Sequence, residues 1–324
     1  MTPLRIWYVA AQRLCNLDCP YCVSVGSWSK SRRYDWEAPA DRDAFAEIVS
    51  WIGARPFEVS LRLGSLGEPF ASPFFLQQAA WLTRRPNVRF VELLSNAALL
   101  QRRLPTMEST ANLGKLSLWL TWHRTQMSME KFIAAAEFAQ RAYGCFVVVN
   151  ALLFSSGDID DLQRLSDAAD QAGLRFNLDL GYDPYAPSRT SSATEPTRTV
   201  PAIRDHGSAT QVIDAVSAAG GDPELTRVTL LSLKSPKGRP CRSGHDYLFI
   251  DIHGNAYRCS RYSTLDRDCY GNVLDPDFDL RLRPQTWAPC DAAGSCCNKE
   301  DFLNLKAAAD LYQRDVPSLG WTDA

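Results

Sequence analysis

Apolar and polar positions along the first half of the chain follow two alternating rhythms. Six short, nearly unbroken apolar runs read as strands buried on both faces: "LRIWYVA", "FEVSLRLG", "NVRFVELLSN", "KLSLWLTWH", "CFVVVNALLF" and "LRFNLDLGY". Helical periodicity separates them. In "RDAFAEIVSWIGA", Phe45, Ile48, Val49 and Ile52 fall on one face. "MEKFIAAAEFAQRAYG" ends at Gly144, a residue suited to the left-handed position that closes a helix. "DIDDLQRLSDAADQAG" begins at Asp158, a good N-cap, and stops at Gly173. Strand–helix repeats with buried strands predict an α/β fold whose parallel sheet curves into a partial (β/α)6 barrel over 1–182.

The texture then changes. "DPYAPSRTSSATEPTRTVP" has no periodicity and reads as a lid or linker within 183–240, relieved by a short helix from Ala209 to Ala219. A third region, 241–324, opens with the strand "YLFIDI". "HGNA" follows, where Gly254 and Asn255 supply hairpin-turn chemistry. It is expected to form a β-hairpin-plus-helix extension.

Composition narrows the function. At 324 residues, 45% hydrophobic and 22% charged, the chain is an ordinary globular protein with room for one large domain and an appendage. A net charge of −2 gives no general attraction to nucleic acid or acidic membranes. No apolar run approaches the roughly 20 residues that cross a bilayer. The N-terminus lacks the apolar segment and cleavage site of a signal peptide, so the expectation is a cytoplasmic protein. Ten cysteines are then unusual, because a reducing compartment disfavours disulfides. Clustered cysteines there point to metal. Three fall at 15, 19 and 22, six lie between 241 and 297, and Cys145 stands alone at a strand start, where it reads as core.

Cys15, Cys19 and Cys22 form the spacing C-x3-C-x2-C after the first strand. Three thiolates suit a 4Fe–4S cluster with one iron left open. Zinc would need a fourth Cys or His, which this stretch lacks, and a chance group of buried thiols is the other alternative. The remaining unusual segments also follow strands: "GSLGEPF", "SNA" and "WHRTQ". Parallel β/α folds build their sites at that edge, so all should converge on one mouth. His123 and Arg124 would face it, in an orienting or a merely structural role, with Asn150 and Asp179 as weaker candidates on later strands.

Cys15, Cys19 and Cys22, with aromatic Tyr21 between the last two, resemble the signature of radical S-adenosylmethionine (SAM) enzymes. Leu66-Gly67-Glu68-Pro69 resembles that family's "GGEP" segment, with leucine in place of the first glycine. The resemblance implies that the three cysteines hold a 4Fe–4S cluster and that SAM binds its open iron. It further implies a cofactor shell of Tyr21, Gly67, Glu68, Pro69, Ser95, Asn96 and His123. A 5′-deoxyadenosyl radical would then take a hydrogen atom from an unactivated C–H bond.

The C-terminal cysteines resemble the Twitch or SPASM extension of these enzymes. An auxiliary 4Fe–4S cluster would be held by Cys241, Cys259, Cys290 and one of Cys296 and Cys297, with a zinc ribbon as the alternative. Cys269 is left over, as a ligand, an inert thiol or a hydrogen-atom donor to a substrate radical. By similarity to aminoglycoside-pathway enzymes, the first expectation is an epimerase of a carbohydrate-like natural product that uses Cys269 as donor. The alternative is a two-electron alcohol dehydrogenase of an aminocyclitol or sugar, with the auxiliary cluster accepting electrons. Modification of a ribosomal peptide ranks third, since the chain runs directly into its first strand. A non-enzymatic iron–sulfur carrier or sensor would not need the Glu68 segment. The implied partners are a small-molecule substrate and a flavodoxin- or ferredoxin-type reductant, with no nucleic acid and no membrane.

Overall fold

In the computed structural model, the described residues are 3–22, 34–181, 208–234, 236–292, 296 and 299–312. Six parallel strands lie side by side in chain order: β1 (Leu4–Ala10), β2 (Val59–Ser65), β3 (Val88–Ser95), β4 (Leu116–Thr121), β5 (Phe146–Leu153) and β6 (Arg175–Leu180). The sequence pattern explains them. In β2 every residue but the last is buried, as a strand covered on both faces requires. Helices α1 (Pro39–Gly53), α2 (Pro73–Thr83), α3 (Leu100–Met107), α4 (Met129–Tyr143) and α5 (Ile159–Gln171) make the crossovers. Phe45, Ile48, Val49 and Ile52 are the buried face of α1, as their spacing predicts. Gly144 and Gly173 take positive φ, +65° and +67°, after α4 and α5. The expected partial α/β barrel is what forms, and among the described residues β6 is an edge of the sheet.

Three features differ from the sequence reading. First, the C-terminal hairpin is not a separate sheet. Strands β8 (Tyr247–Ile250), β9 (Asn255–Tyr257) and β10 (Cys269–Asn272) continue the barrel sheet, giving nine strands in the order β10-β9-β8-β1-β2-β3-β4-β5-β6. β8 runs parallel to β1, with Ile6 opposite Leu248. Gly254, at φ +84°, makes the anticipated turn into β9. Second, 183–240 holds more than a lid. The expected short helix, α6, spans Ala209–Ala218, and a further helix, α7 (Pro223–Lys234), buries Leu225 and Val228 in a second apolar cluster. The Pro/Ser/Thr-rich stretch itself lies outside the described residues. Third, Asp158 does not cap α5. Its carboxylate accepts from the backbone N–H groups of Phe154 and Ser155 (2.9 and 2.8 Å) and so ties down the end of β5.

The second cluster is built by the extension. The strand β7 (Pro240–Cys241) pairs antiparallel with β11 (Ala288–Pro289). Short helices α8 (Ser260–Thr264), α9 (Lys299–Phe302) and α10 (Lys306–Tyr312) pack around Tyr247, Phe249, Tyr262 and Phe302. No described helix is long and apolar enough to cross a membrane.

Candidate active site

A cavity of about 360 Å³ lies at the C-terminal ends of the barrel strands. Cys15, Cys19 and Cys22 line it, on the loop that leaves β1. That loop is held by backbone pairing that runs on past the strand ends. The N–H groups of Leu66, Gly67 and Glu68 donate to the carbonyls of Ala10, Gln12 and Leu14 (3.3, 2.8 and 2.8 Å). The approach is so close that a Cβ on Gly67 would lie 2.3 Å from Leu14 O and 2.5 Å from Arg13 C. Only glycine fits, and the reason is contact between two loops, not backbone dihedrals.

Glu68 braces the same wall from the other side. Its carboxylate accepts from Ser95 Oγ (2.8 Å), from the Asn96 N–H (2.8 Å) and from the Phe70 N–H (3.1 Å). Asn96 Nδ2 in turn donates to Asn16 Oδ1 (3.0 Å), joining the β3 end to the cysteine loop. Full burial pushes the Glu68 carboxyl up to about 7, against the pull of those three donors. The Glu68 carboxylate is thus committed to three donors of the chain itself, while Gly67 and Glu68 both line the cavity. Pro69, also expected in the shell, is buried in the turn behind Glu68 and does not line the cavity.

Tyr21 and His123 form an aromatic flank. The Tyr21 hydroxyl and His123 Nδ1 are 3.1 Å apart, and the Tyr21 ring packs against Phe154 at 4.9 Å. Burial lowers the His123 imidazole to about 4, so it is neutral at ordinary pH. Burial, helped by the neighbouring Cys19, raises the Tyr21 phenol to about 12. Arg124 turns away instead, pairing with Asp158 and Asp161 (2.5 and 3.6 Å) outside the cavity.

Of the floor, only Asn150 and Asp179 were anticipated, and both line the cavity. Arg62 on β2 and Glu92 on β3 sit opposite one another in register and pair in the barrel interior. Glu300 pairs with the same guanidinium. Lys299 Nζ lies 2.5 Å from Asn177 Oδ1, 3.5 Å from Asp179 and 4.3 Å from the Trp119 ring centroid. Burial lowers its ammonium to about 8 despite Asp179. Asn150 completes the group, its Oδ1 accepting from Asn177 Nδ2 (2.6 Å) and its Nδ2 donating to Thr121 Oγ1 (3.2 Å). So α9, from the far end of the chain, supplies part of the cavity floor. The available signal was one charge of each sign, Arg62 and Glu92, interrupting neighbouring apolar strands.

Cys241, Cys259, Cys290 and Cys296 line a second, more enclosed pocket within the extension. All four are 6–9% exposed and belong to the second apolar cluster. Burial, helped by Asp301, pushes the Cys259 thiol well up, and burial also raises Cys290. Among the described residues no three His, Cys, Asp or Glu side chains close around one ion position. The thiols face a shared space instead. Asp301 lines that pocket, while its neighbours Lys299 and Glu300 line the first cavity. Cys297 lies outside the described residues. Cys145 is buried in the main core, as expected. Cys269 is exposed on the sheet-edge strand β10, its Sγ 3.6 Å from Gly271 O, and lines neither pocket. The β9–β10 pairing carries Cys269 to the outer edge of the sheet, away from the cavity where a hydrogen-atom donor was expected.

No protein-family model and no curated protein sequence matches the chain. Solved structures do. anSMEcpe with bound AdoMet matches with a TM-score of 0.54 and 15% identity, over 95% of this chain and 79% of that one. Streptococcus suis SuiB bound to S-adenosylmethionine matches at 0.51 and 12%, over 88% and 67%. BtrN in complex with AdoMet and 2-DOIA is a looser likeness, 0.42 and 14% over 85% and 81%, and carries no weight. Both anSMEcpe and SuiB are recorded with S-adenosylmethionine bound. At these identities the likeness is one of fold, and the chain shares the α/β fold, built on a largely parallel sheet, of these two S-adenosylmethionine-bound structures.

Proposed function

We propose that the chain is a radical SAM enzyme that oxidises a polar, carbohydrate-like small molecule by two electrons. The observation that carries this is one cavity shared by Cys15, Cys19 and Cys22 with the Glu68–Ser95–Asn96 brace and a separate, charged floor. Three thiols fit a 4Fe–4S cluster with one open iron, and the cavity beside them is where SAM would meet it. When bound, SAM and this cluster supply a 5′-deoxyadenosyl radical that takes a hydrogen atom, and an auxiliary cluster supplies a one-electron sink. Cys241, Cys259, Cys290 and Cys296 would hold the auxiliary cluster. The donor set fits, since four buried thiols from separate segments face one pocket.

This chain's own residues do the positioning. The Gly67 contact sets the cysteine loop against the β2 loop. Neutral His123, with Tyr21 and Phe154, shields the mouth from water. Asp179, Lys299 and Asn150 offer an acceptor, a cation and an amide to a substrate hydroxyl or amine, and the Asp179 carboxylate takes the proton lost on oxidation. Epimerisation, the first expectation from sequence, loses its support once Cys269 lies outside the cavity, so dehydrogenation takes its place. Electrons for the first cluster would come from a flavodoxin- or ferredoxin-type reductant.

The test is anaerobic iron analysis with EPR and a reductive SAM-cleavage assay. Two clusters give ~8 iron per chain and ~4 in a Cys15/Cys19/Cys22→Ala variant. 5′-Deoxyadenosine should form only in the wild type. Wild-type protein with ~4 iron would remove the auxiliary cluster, and zinc in its place would restore the zinc-ribbon alternative.

A further inference from the structure

Arg258 lies between the end of β9 and Cys259 and lines the pocket of the four cysteines. Its guanidinium stacks over Tyr262, 4.6 Å from the ring centroid, and Nη1 donates to the Tyr262 hydroxyl at 3.3 Å. Nη2 is sealed from solvent and, among the described residues, has no hydrogen-bond partner. A buried charged donor without an acceptor is unfavourable, so its presence implies an acceptor that belongs in the pocket. Asp301 is the nearby anion, but its carboxylate is committed to Tyr247 Oη (2.9 Å), Ser260 N (3.2 Å) and Ser260 Oγ (2.5 Å). A cluster bound by four thiolates is anionic and gains one more negative charge on reduction. A fixed cation beside it, with an N–H free to reach a sulfur, stabilises the reduced form more than the oxidised one.

We propose that Arg258 is a positioning residue for the auxiliary cluster, donating Nη2 to its sulfur and raising its reduction potential so that the second site accepts electrons. This rests on the assignment of a cluster to Cys241, Cys259, Cys290 and Cys296. It also goes further, because it gives a reason why that site takes an electron from a substrate radical.

The experiment is an EPR-monitored redox titration of the full chain, with iron counted in each sample. It compares wild type, Arg258→Gln and Arg258→Lys, each also in the Cys15/Cys19/Cys22→Ala background, where only the auxiliary signal remains. Arg258→Gln should keep its iron while the equilibrium for one-electron reduction falls at least tenfold, about 59 mV. Arg258→Lys, which keeps the charge, should recover most of that shift. An unchanged potential in Arg258→Gln with full iron overturns the proposal and leaves the cluster assignment standing. Loss of auxiliary iron in both variants also overturns it, since Arg258 would then be structural. A wild type without a second cluster overturns the proposal and the assignment together.

Discussion

The two cysteine sites are opposites in construction. Cys15, Cys19 and Cys22 come from one short loop and open onto a cavity of about 360 Å³. Cys241, Cys259, Cys290 and Cys296 come from four separate places, line an enclosed pocket and sit inside an apolar cluster beside Arg258. An open site with three thiols leaves a position for a reacting molecule. A closed site with four thiols can exchange electrons but not ligands. Under the proposed assignment, one fold would hold the same metal chemistry in two roles, set by how many protein ligands converge and how much solvent is excluded. The segment Lys299–Asp301 stands between them, with two side chains in one site and the third in the other.

The largest effects should come from removing either ligand set. The Cys15/Cys19/Cys22→Ala variant should lose all reductive SAM cleavage. Cys259→Ala should retain SAM cleavage, read as 5′-deoxyadenosine, and lose substrate oxidation. Equal loss of both activities in Cys259→Ala would break the division of roles. Lys299→Met comes next. It keeps the length of the side chain and removes the charge beside Asp179 and Asn177. Iron should stay at the wild-type level while turnover falls ~10²-fold or more. Wild-type turnover in that variant would show that the charged floor does not hold substrate.

The brace behind the open site gives a pH prediction. The Glu68 carboxyl is raised from an ordinary 4.5 to about 7 in the fold. A group raised on folding contributes stability that is full below its unfolded value and is lost as pH rises through its folded value. The SAM-free protein should therefore lose roughly 3 kcal/mol from this group between pH 4.5 and 8, by the usual 1.36 kcal/mol per unit. Denaturant midpoints across that range should show the slope, and Glu68→Gln should flatten it. Gly67→Ala should cost about 1–3 kcal/mol, the range for overpacking, because its new methyl meets backbone and not a side chain that can swing aside.

What was legible in the sequence was local. The C-x3-C-x2-C loop, the caps at Gly144 and Gly173 and the face of α1 each depend on residues a few positions apart. The convergence of Glu68, Ser95 and Asn96 was legible too, since parallel strands bring their ends to one edge. The hidden part was long-range. Lys299 meets Asn177 across 122 positions, and β8 pairs with β1 from the far side of the whole barrel sequence, Arg5 opposite Tyr247. No periodicity encodes such pairings. Glu68 shows a subtler gap: its place was predicted but its partners were not. Whether a carboxylate faces a ligand or its own backbone depends on loop geometry.

Cys269 gives the smallest predicted effect and the sharpest contrast with the cysteines of both sites. In sequence it stands among pocket cysteines, and similarity to epimerases that use one cysteine as a hydrogen-atom donor made it a candidate for catalysis. In the fold it lies on the edge strand, exposed, against the Gly271 carbonyl. Surface substitutions of this kind usually change stability by less than ~0.5 kcal/mol. Cys269→Ala should therefore leave iron, EPR signals, SAM cleavage and turnover unchanged. The decisive measurement is product made in deuterated water. A donor thiol exchanges with solvent and would place deuterium at the carbon attacked, whereas oxidation places none there. Solvent deuterium in the product, lost in Cys269→Ala, would require β10 to swing into the cavity and would restore epimerisation. Its absence, with turnover intact, leaves the enclosed cluster beside Arg258 as the place where the substrate's second electron goes.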